Sequence, residues 1–229
     1  MTDWPQTAGD LEALQAEAGR AQPEPSFGPG AQACRRGEIT VAGCFICFAP
    51  CGRAFAGAAL LRGRSVLARA LAHGRVTTPY QAGLLALREG AALERAVRSL
   101  PEPPDVLLVN ATGLDHPRRF GLASHLGMVL GLPSAGVTDR PLLAAGDWPA
   151  GARGAHAPLW LDGEVVAAWV RTRAGARPVV AHAGWQTSVE AAIAIVNAAA
   201  RRARTPEPLR RAREVARRAR NAAMSAPGA

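Results

Sequence analysis

The side chains best suited to chemistry in this chain gather at one strand end, in one cysteine-rich strand and in one arginine-rich tail. The strand end is the most telling. Asp105, Val106, Leu107, Leu108 and Val109 read as a short apolar strand that delivers a polar residue, Asn110, to its carboxyl end. Thr112 and Gly113 then turn the chain, and His116, Pro117, Arg118 and Arg119 follow before a helix. In α/β proteins ligands and catalytic groups collect at the ends of such strands. Here an imidazole and two guanidiniums stand ready to touch phosphate.

The second grouping is Cys34, Cys44, Cys47 and Cys51. Side chains alternate along a strand, so Gly43, Phe45 and Cys47 share one face while Cys44 and Ile46 share the other. Three readings are open: small buried hydrophobes, a reactive thiolate at Cys47, or a zinc or iron–sulfur cluster. The opposed projections of Cys44 and Cys47 speak against the cluster, and buried thiols are the leading reading. The third grouping lies between Arg201 and Arg220, where nine arginines face only Glu207 and Glu214. The whole chain carries +9 and contains no lysine. Such a segment either holds nucleic-acid phosphates or is the solvated face of a terminal helix. Of the remaining histidines, His125 reads as structural, and His73, His156 and His182 lack evident partners. No Ser-His-Asp spacing or phosphate-binding glycine loop stands out.

The elements that must position these groups follow from pattern. Residues 9–21 read as an amphipathic helix, 22–37 as a Pro- and Gly-rich loop, and 38–48 as a strongly apolar strand. Segments 53–61 and 65–72 pair with it as a meander, and 76–85 is a loop carrying Pro79 and Tyr80. Glu89 opens a helix whose Leu93, Ala96, Val97 and Leu100 recur at helical spacing. After the 105–110 strand come a helix over 118–130, a short strand over 135–138 and a long loop over 139–157. Leu161 to Glu164 forms a hairpin turn. A last strand covers 178–181. Thr187 with Glu190 makes a capping box for a helix through Ala200. Thr205 and Pro206 open a terminal helix whose Leu209, Ala212, Val215, Ala216 and Ala219 dock inward. Strands alternating with helices after a meander predict an α/β fold, a mixed sheet of five to seven strands flanked by helices on both faces.

Length and composition bound the rest. A 229-residue chain with 48% apolar residues makes one domain over 1–229, with residues 1–35 an N-terminal helix and loop and 221–229 a loose tail. No run of 18 apolar residues and no signal-peptide pattern is present, so the expectation is a cytoplasmic protein with free thiols and no membrane partner. Oligomeric state is not legible.

Several blocks, in order, resemble the endonuclease V family. Val41-Ala42-Gly43, Pro79-Tyr80, the stretch from Leu84 to Gly90, and above all the run from His116 to Gly127 match its motifs. Leu132-Pro133, Gly136-Val137, Arg171-Thr172-Arg173 and the stretch from Pro206 to Arg210 complete the set. The resemblance implies an RNase H-like fold, a divalent metal such as Mg²⁺, and hydrolysis of a phosphodiester near deaminated purines.

It also implies a ligand set, and this chain departs from it. The family's first-strand aspartate falls at Phe45, its glutamate at Glu89, and its central aspartate at Asn110. Its lysine falls at Asp139 and its terminal-helix histidine at Arg213, while its Gly-His pair is Gly184-Trp185. Only Glu89 survives as an anionic metal ligand, and a hard dication held by one carboxylate and one amide binds weakly. The family register turns the Phe45 face toward Glu89 and Asn110, with Cys47 at the rim. By contrast the binding blocks persist. Tyr80 matches the wedge beside a lesion, and Gly83, Leu85, Gly113, His116 and Gly121 match a pocket for an extruded base.

The expectation is therefore an endonuclease V-like protein without efficient metal-dependent cleavage, which binds DNA, RNA or a nucleoside-like molecule. Arg118, Arg119 and the terminal helix supply phosphate contacts, with no cofactor unless Mg²⁺-dependent activity persists. Two alternatives stand beside it. In one, Glu89 and Cys47, with Asn110 or Asp139 nearby, perform metal-free chemistry on a small molecule. In the other, Asp115 or Asp139 replaces the missing metal ligands in an active endonuclease.

Overall fold

The computed structural model describes residues 4–28, 31–76 and 78–225. Eight strands form one sheet: β1 (Thr40–Phe48), β2 (Arg53–Arg62), β3 (Ser65–Arg75), β4 (Val106–Val109), β5 (Ser134–Thr138), β6 (His156–Leu161), β7 (Glu164–Val170) and β8 (Val179–Ala183). Six α-helices accompany them among the described residues: α1 (Ala8–Arg20), α2 (Ala31–Arg36), α3 (Leu85–Arg98), α4 (Leu122–Leu130), α5 (Val189–Ala199) and α6 (Glu207–Ser225). The sheet order is β3-β2-β1-β4-β5-β8-β7-β6. The outer hairpins pair antiparallel, whereas β1, β4 and β5 run parallel, so their carboxyl ends open at one edge. The mixed sheet flanked on both faces is as expected, with one strand more than the upper expectation.

Each face of the sheet has its own core. Cys44 and Ile46 of β1 and Leu107 and Val109 of β4 pack against Leu93, Ala96 and Val97 of α3 and Ala123 and Leu126 of α4. Val41 and Leu108 face the other way, onto Ile195 and Val196 of α5 and Leu209 of α6. Four residues of β4 are fully buried on both sides, as a central parallel strand requires. Helix α6 lies directly on β1 because Gly43 has no side chain. A Cβ there would meet the Pro208 backbone at 2.4 Å.

Several boundaries differ from the sequence reading, each for a local reason. Helix α3 begins at Leu85, not Glu89, so Glu89 sits inside the helix, one turn from its start. Helix α4 begins at Leu122, since Arg119 adopts a left-handed backbone and Gly121 is extended. Ser188, not Thr187, caps α5, accepting from the Ala191 amide, because Thr187 donates its hydroxyl to the Ser134 carbonyl in the core. The 22–37 loop contains α2.

The N-terminal segment is docked rather than loose over its described residues. Leu11 is fully buried, and the Trp4 indole donates to the buried Glu94 carboxylate at 2.7 Å. Helix α6 continues to Ser225, so five of its residues fall in the expected loose tail; residues 226–229 lie outside the described residues. Among the described residues no helix is long and apolar enough to cross a membrane.

Candidate functional site

The carboxyl ends of β1 and β4 position the site. Cys44 pairs with Val109 across the parallel ladder, so Phe45 and Asn110 are the next residues along neighbouring strands. Phe45 turns its ring onto α6, beside Ala212 and Ala216. From that helix the Arg213 guanidinium lies over the Phe45 ring, 4.9 Å from its centre. The same guanidinium donates to Asn110 Oδ1 at 3.5 Å, a long contact that places the two groups together. Three residues from distant segments thus form one triangle: ring, amide and cation. Burial is the main influence lowering the Arg213 pKa, then repulsion by Arg217, with Asp139 opposing both. A guanidinium stays charged regardless.

Asp139 lies beside this triangle and forms an ion pair with Arg204. Glu89 is carried by α3, the helix that packs on the Cys44 and Ile46 face of β1. Burial chiefly, and the Glu89 charge to a lesser degree, raise the pKa of Cys44. The Phe45 face meets Asn110 and Arg213. Burial lifts the Glu89 pKa to about 7, with Arg88 pulling weakly the other way. Among the described residues Glu89 has no hydrogen-bond or ion-pair partner.

Next to Asn110 opens a cavity of about 160 Å³. Tyr80, Gly83, Leu85 and His116 line it, together with Asn110, Thr138 and Leu142. That volume suits one small ring system and is below the range of larger ligand pockets. Tyr80 is 69% exposed at the rim. Gly83 has φ +79°, a left-handed conformation natural to glycine. Its carbonyl accepts from His116 Nε2 at 3.0 Å and from the Gln15 amide at 3.2 Å. Because the Arg118 backbone N–H donates to His116 Nδ1 at 3.2 Å, the imidazole is the neutral Nε2–H tautomer. Burial is the chief cause of its pKa falling to about 4. His116 shapes the wall; it is not a charged phosphate contact.

Gly113 and Gly121 do not line the cavity. A Cβ on Gly113 would meet the Ala183 carbonyl at 1.8 Å, and one on Gly121 the Thr112 carbonyl at 2.4 Å. Their role is close packing behind the wall. Arg118 and Arg119 are likewise committed elsewhere. Arg118 Nε donates to Gln15 Oε1 at 2.9 Å and its Nη2 lies 3.5 Å from Glu12. Arg119 donates to the Leu161 carbonyl and pairs with Asp162 and Glu164, fastening the β6–β7 hairpin. Both guanidiniums thus already have protein partners where the expectation gave them phosphate.

Two further expectations fall to burial. Cys47 is 8% exposed and packs against Phe55 and Ala216. Desolvation raises its thiol pKa, and Arg220 and Arg217 offset this only in part, so a thiolate nucleophile is disfavoured. Asp115 is fully buried, and its two oxygens accept the backbone N–H groups of Leu142, Leu143 and Ala144 at 2.7–2.8 Å. It holds the cavity's far wall in place and is not a spare metal ligand. His182 is buried in β8, with one ring nitrogen 2.7 Å from Thr138 Oγ1 and the other 3.7 Å from Asp115.

A divalent cation is a poor match for this donor set. The triangle already holds a fixed positive charge, Asn110 is neutral, and burial raises the Glu89 pKa to about 7. Among the described residues no three His, Cys, Asp or Glu side chains cluster as metal ligands. Sequence reasoning missed Gln15 and Leu142, which reach the cavity from a helix and a loop remote in the chain; no local signal marks either.

Comparison with known protein families matches residues 32–214 to Endonuclease V. The Endonuclease V of Streptomyces avermitilis is 41% identical over 154 residues, covering 67% of this chain and 67% of that protein. The matches to curated relatives span about two thirds of those proteins' length. The crystal structure of the S. avermitilis protein superposes with a TM-score of 0.88 at 35% identity, over 97% of this chain and 96% of that one. A Ciona intestinalis endonuclease V, crystallised with a 23mer DNA containing an inosine, shares the fold at 20% identity and a TM-score of 0.81, over 97% of this chain and 100% of that one.

Proposed function

This chain belongs to the endonuclease V family, and on that premise we propose that it binds nucleic acid at an extruded, deaminated purine without efficient metal-dependent cleavage. The observation that carries this reading is the Arg213 guanidinium seated on Phe45 and Asn110. Where the family resemblance calls for carboxylates around a dication, this chain has an aromatic face, an amide and a permanent cation. Hydrolysis of the family kind needs anionic oxygens to hold the metal that activates water. A guanidinium activates no water. It does offer a phosphate two parallel N–H donors.

The proposed division of labour follows. The cavity beside Asn110 accepts the base, Tyr80 at its rim stacks on it or fills the gap it leaves, and Arg213 holds the adjoining phosphate. Neutral groups line the base cavity, which suits reading a heterocycle by hydrogen bonds and apolar contact. Because the cation is part of the chain, binding is expected to persist in a chelating buffer. The test is incubation with an inosine-containing strand. Binding in EDTA together with intact strands in Mg²⁺ or Mn²⁺ is the expected result; robust nicking overturns the proposal.

A further inference from the structure

At the opposite end of β1 from Asn110 lies a second concavity, of about 940 Å³, bounded by α2, the β2–β3 turn, the β5–β6 loop, the α5–α6 link and the start of α6. Seven arginines line it, against one carboxylate, Glu207. Four of them are fixed. Arg153 donates to the Ala200 carbonyl at 2.7 Å, finishing α5, and Arg201 donates to the Gly63 carbonyl. Arg210 and Arg211 share Glu207 and Glu214. The other three, Arg35, Arg64 and Arg202, are exposed and have no hydrogen-bond or ion-pair partner among the described residues. Fixed cations shape the groove, and the unpartnered ones are left to meet an anion.

The groove is not isolated. Arg210, Arg213, Arg217 and Arg220 recur at three- and four-residue steps, so they form one stripe along α6. The stripe begins in the groove, passes over Phe45 and Asn110 at Arg213, and reaches the neighbourhood of Cys47 at Arg217 and Arg220. A 19-residue helix is roughly 28 Å long, so this rail spans several successive phosphates. A small polyphosphate needs the groove alone; only a strand uses the whole rail.

We propose that the groove is a second nucleic-acid site, which holds the sugar–phosphate backbone of a strand whose neighbouring stretch occupies the base cavity. The proposal rests on the reading of that cavity given above. Its contacts are to phosphate, so they carry affinity and salt dependence rather than sequence preference.

The test uses the full chain in EDTA and two labelled inosine-containing strands, one short enough to reach only the cavity and one long enough to continue along α6. The long strand is expected to bind about tenfold more tightly at low salt, with a steeper salt dependence. Changing Arg35→Ser, Arg64→Ser and Arg202→Ser together removes exposed, unpartnered side chains and leaves the fold intact by circular dichroism. This triple variant is expected to lose the long-strand advantage, flatten the salt slope by about two to three units, and keep the short-strand affinity. An unchanged long-strand affinity and slope overturn the proposal. So does tighter binding of inorganic tripolyphosphate, phosphate for phosphate, than of the long strand. If inosine confers no preference yet the triple variant still loses long-strand binding, the cavity reading fails and the groove stands.

Discussion

The base cavity and the Phe45–Asn110–Arg213 triangle touch at Asn110 and differ in almost every other respect. The cavity wall is neutral: the shared Gly83 carbonyl, the uncharged His116 and the apolar Leu85 and Leu142. The triangle is cationic and has no carboxylate of its own. Packing of many residues maintains the cavity, including Gly113 and Gly121 behind it and Asp115 beneath the Leu142 loop. Only three side chains make the triangle, two at strand ends and one on the face of α6. The contrast teaches that in this fold shape and charge are separable. Many residues of the scaffold maintain the cavity, whereas the triangle rests on three side chains.

The sharpest way to break that comparison is to give the triangle back its anions. Phe45→Asp, Asn110→Asp and Arg213→His together are expected to raise cleavage of an inosine-containing strand in Mg²⁺ by about a thousandfold or more over the unmodified chain, an effect of roughly 4 kcal/mol on the barrier. A nicking assay reads it directly. A folded variant that binds inosine yet stays inert shows that the cavity has also lost the geometry for cleavage, and shape and charge are then not separable.

The next effect falls on the cavity side alone. Asp115→Ala leaves three backbone N–H groups without their acceptor at a buried site. The expected loss is about 3 kcal/mol of stability, measured by urea unfolding, because each orphaned donor keeps its desolvation penalty. Inosine preference should weaken with it as Leu142 shifts. Salt-dependent binding along α6 should survive.

Glu89 tests whether the surviving acid still belongs to a metal site. The folded chain raises its pKa from 4.5 to about 7 by burial, so the native state keeps a proton that the unfolded state releases. Stability therefore falls as pH rises from about 4.5 through 7, and stays lowered above that. Glu89→Gln is expected to gain of the order of 2 kcal/mol over the parent above pH 7, and nothing near pH 4. Mg²⁺ should leave the Glu89 titration midpoint, followed by carboxyl NMR, where it is. A midpoint driven down by millimolar Mg²⁺ would show a working metal ligand.

The fold was largely legible because its signals are local. The apolar runs of β1 and β4 and the Asp162-Gly163 turn need no knowledge of distant residues. The family motifs likewise carried Tyr80, Gly83, Leu85 and His116 to the cavity they line. What stayed hidden was the partner of each charge. Arg118 and Arg119 look free in sequence, yet Gln15 and the β6–β7 hairpin hold them across more than 40 intervening positions. Cys47 looks reactive until α6 covers it.

The smallest effect sharpens the cavity side without touching the fold. Tyr80 is largely exposed and belongs to no core cluster, so Tyr80→Ala should leave the urea midpoint unchanged. Its ring is placed to stack on a base at the mouth of the cavity, and base–aromatic stacking contributes about 1–3 kcal/mol. The affinity for a short inosine-containing strand should then fall about tenfold, with the salt slope unmoved because no phosphate contact is lost. Tyr80→Phe should restore most of that affinity, since stacking uses the ring and not the hydroxyl. If alanine instead flattens the salt slope, Tyr80 is ordering the backbone beside Arg213. The cavity and the triangle would then act as one site, and the separation drawn between them would be lost.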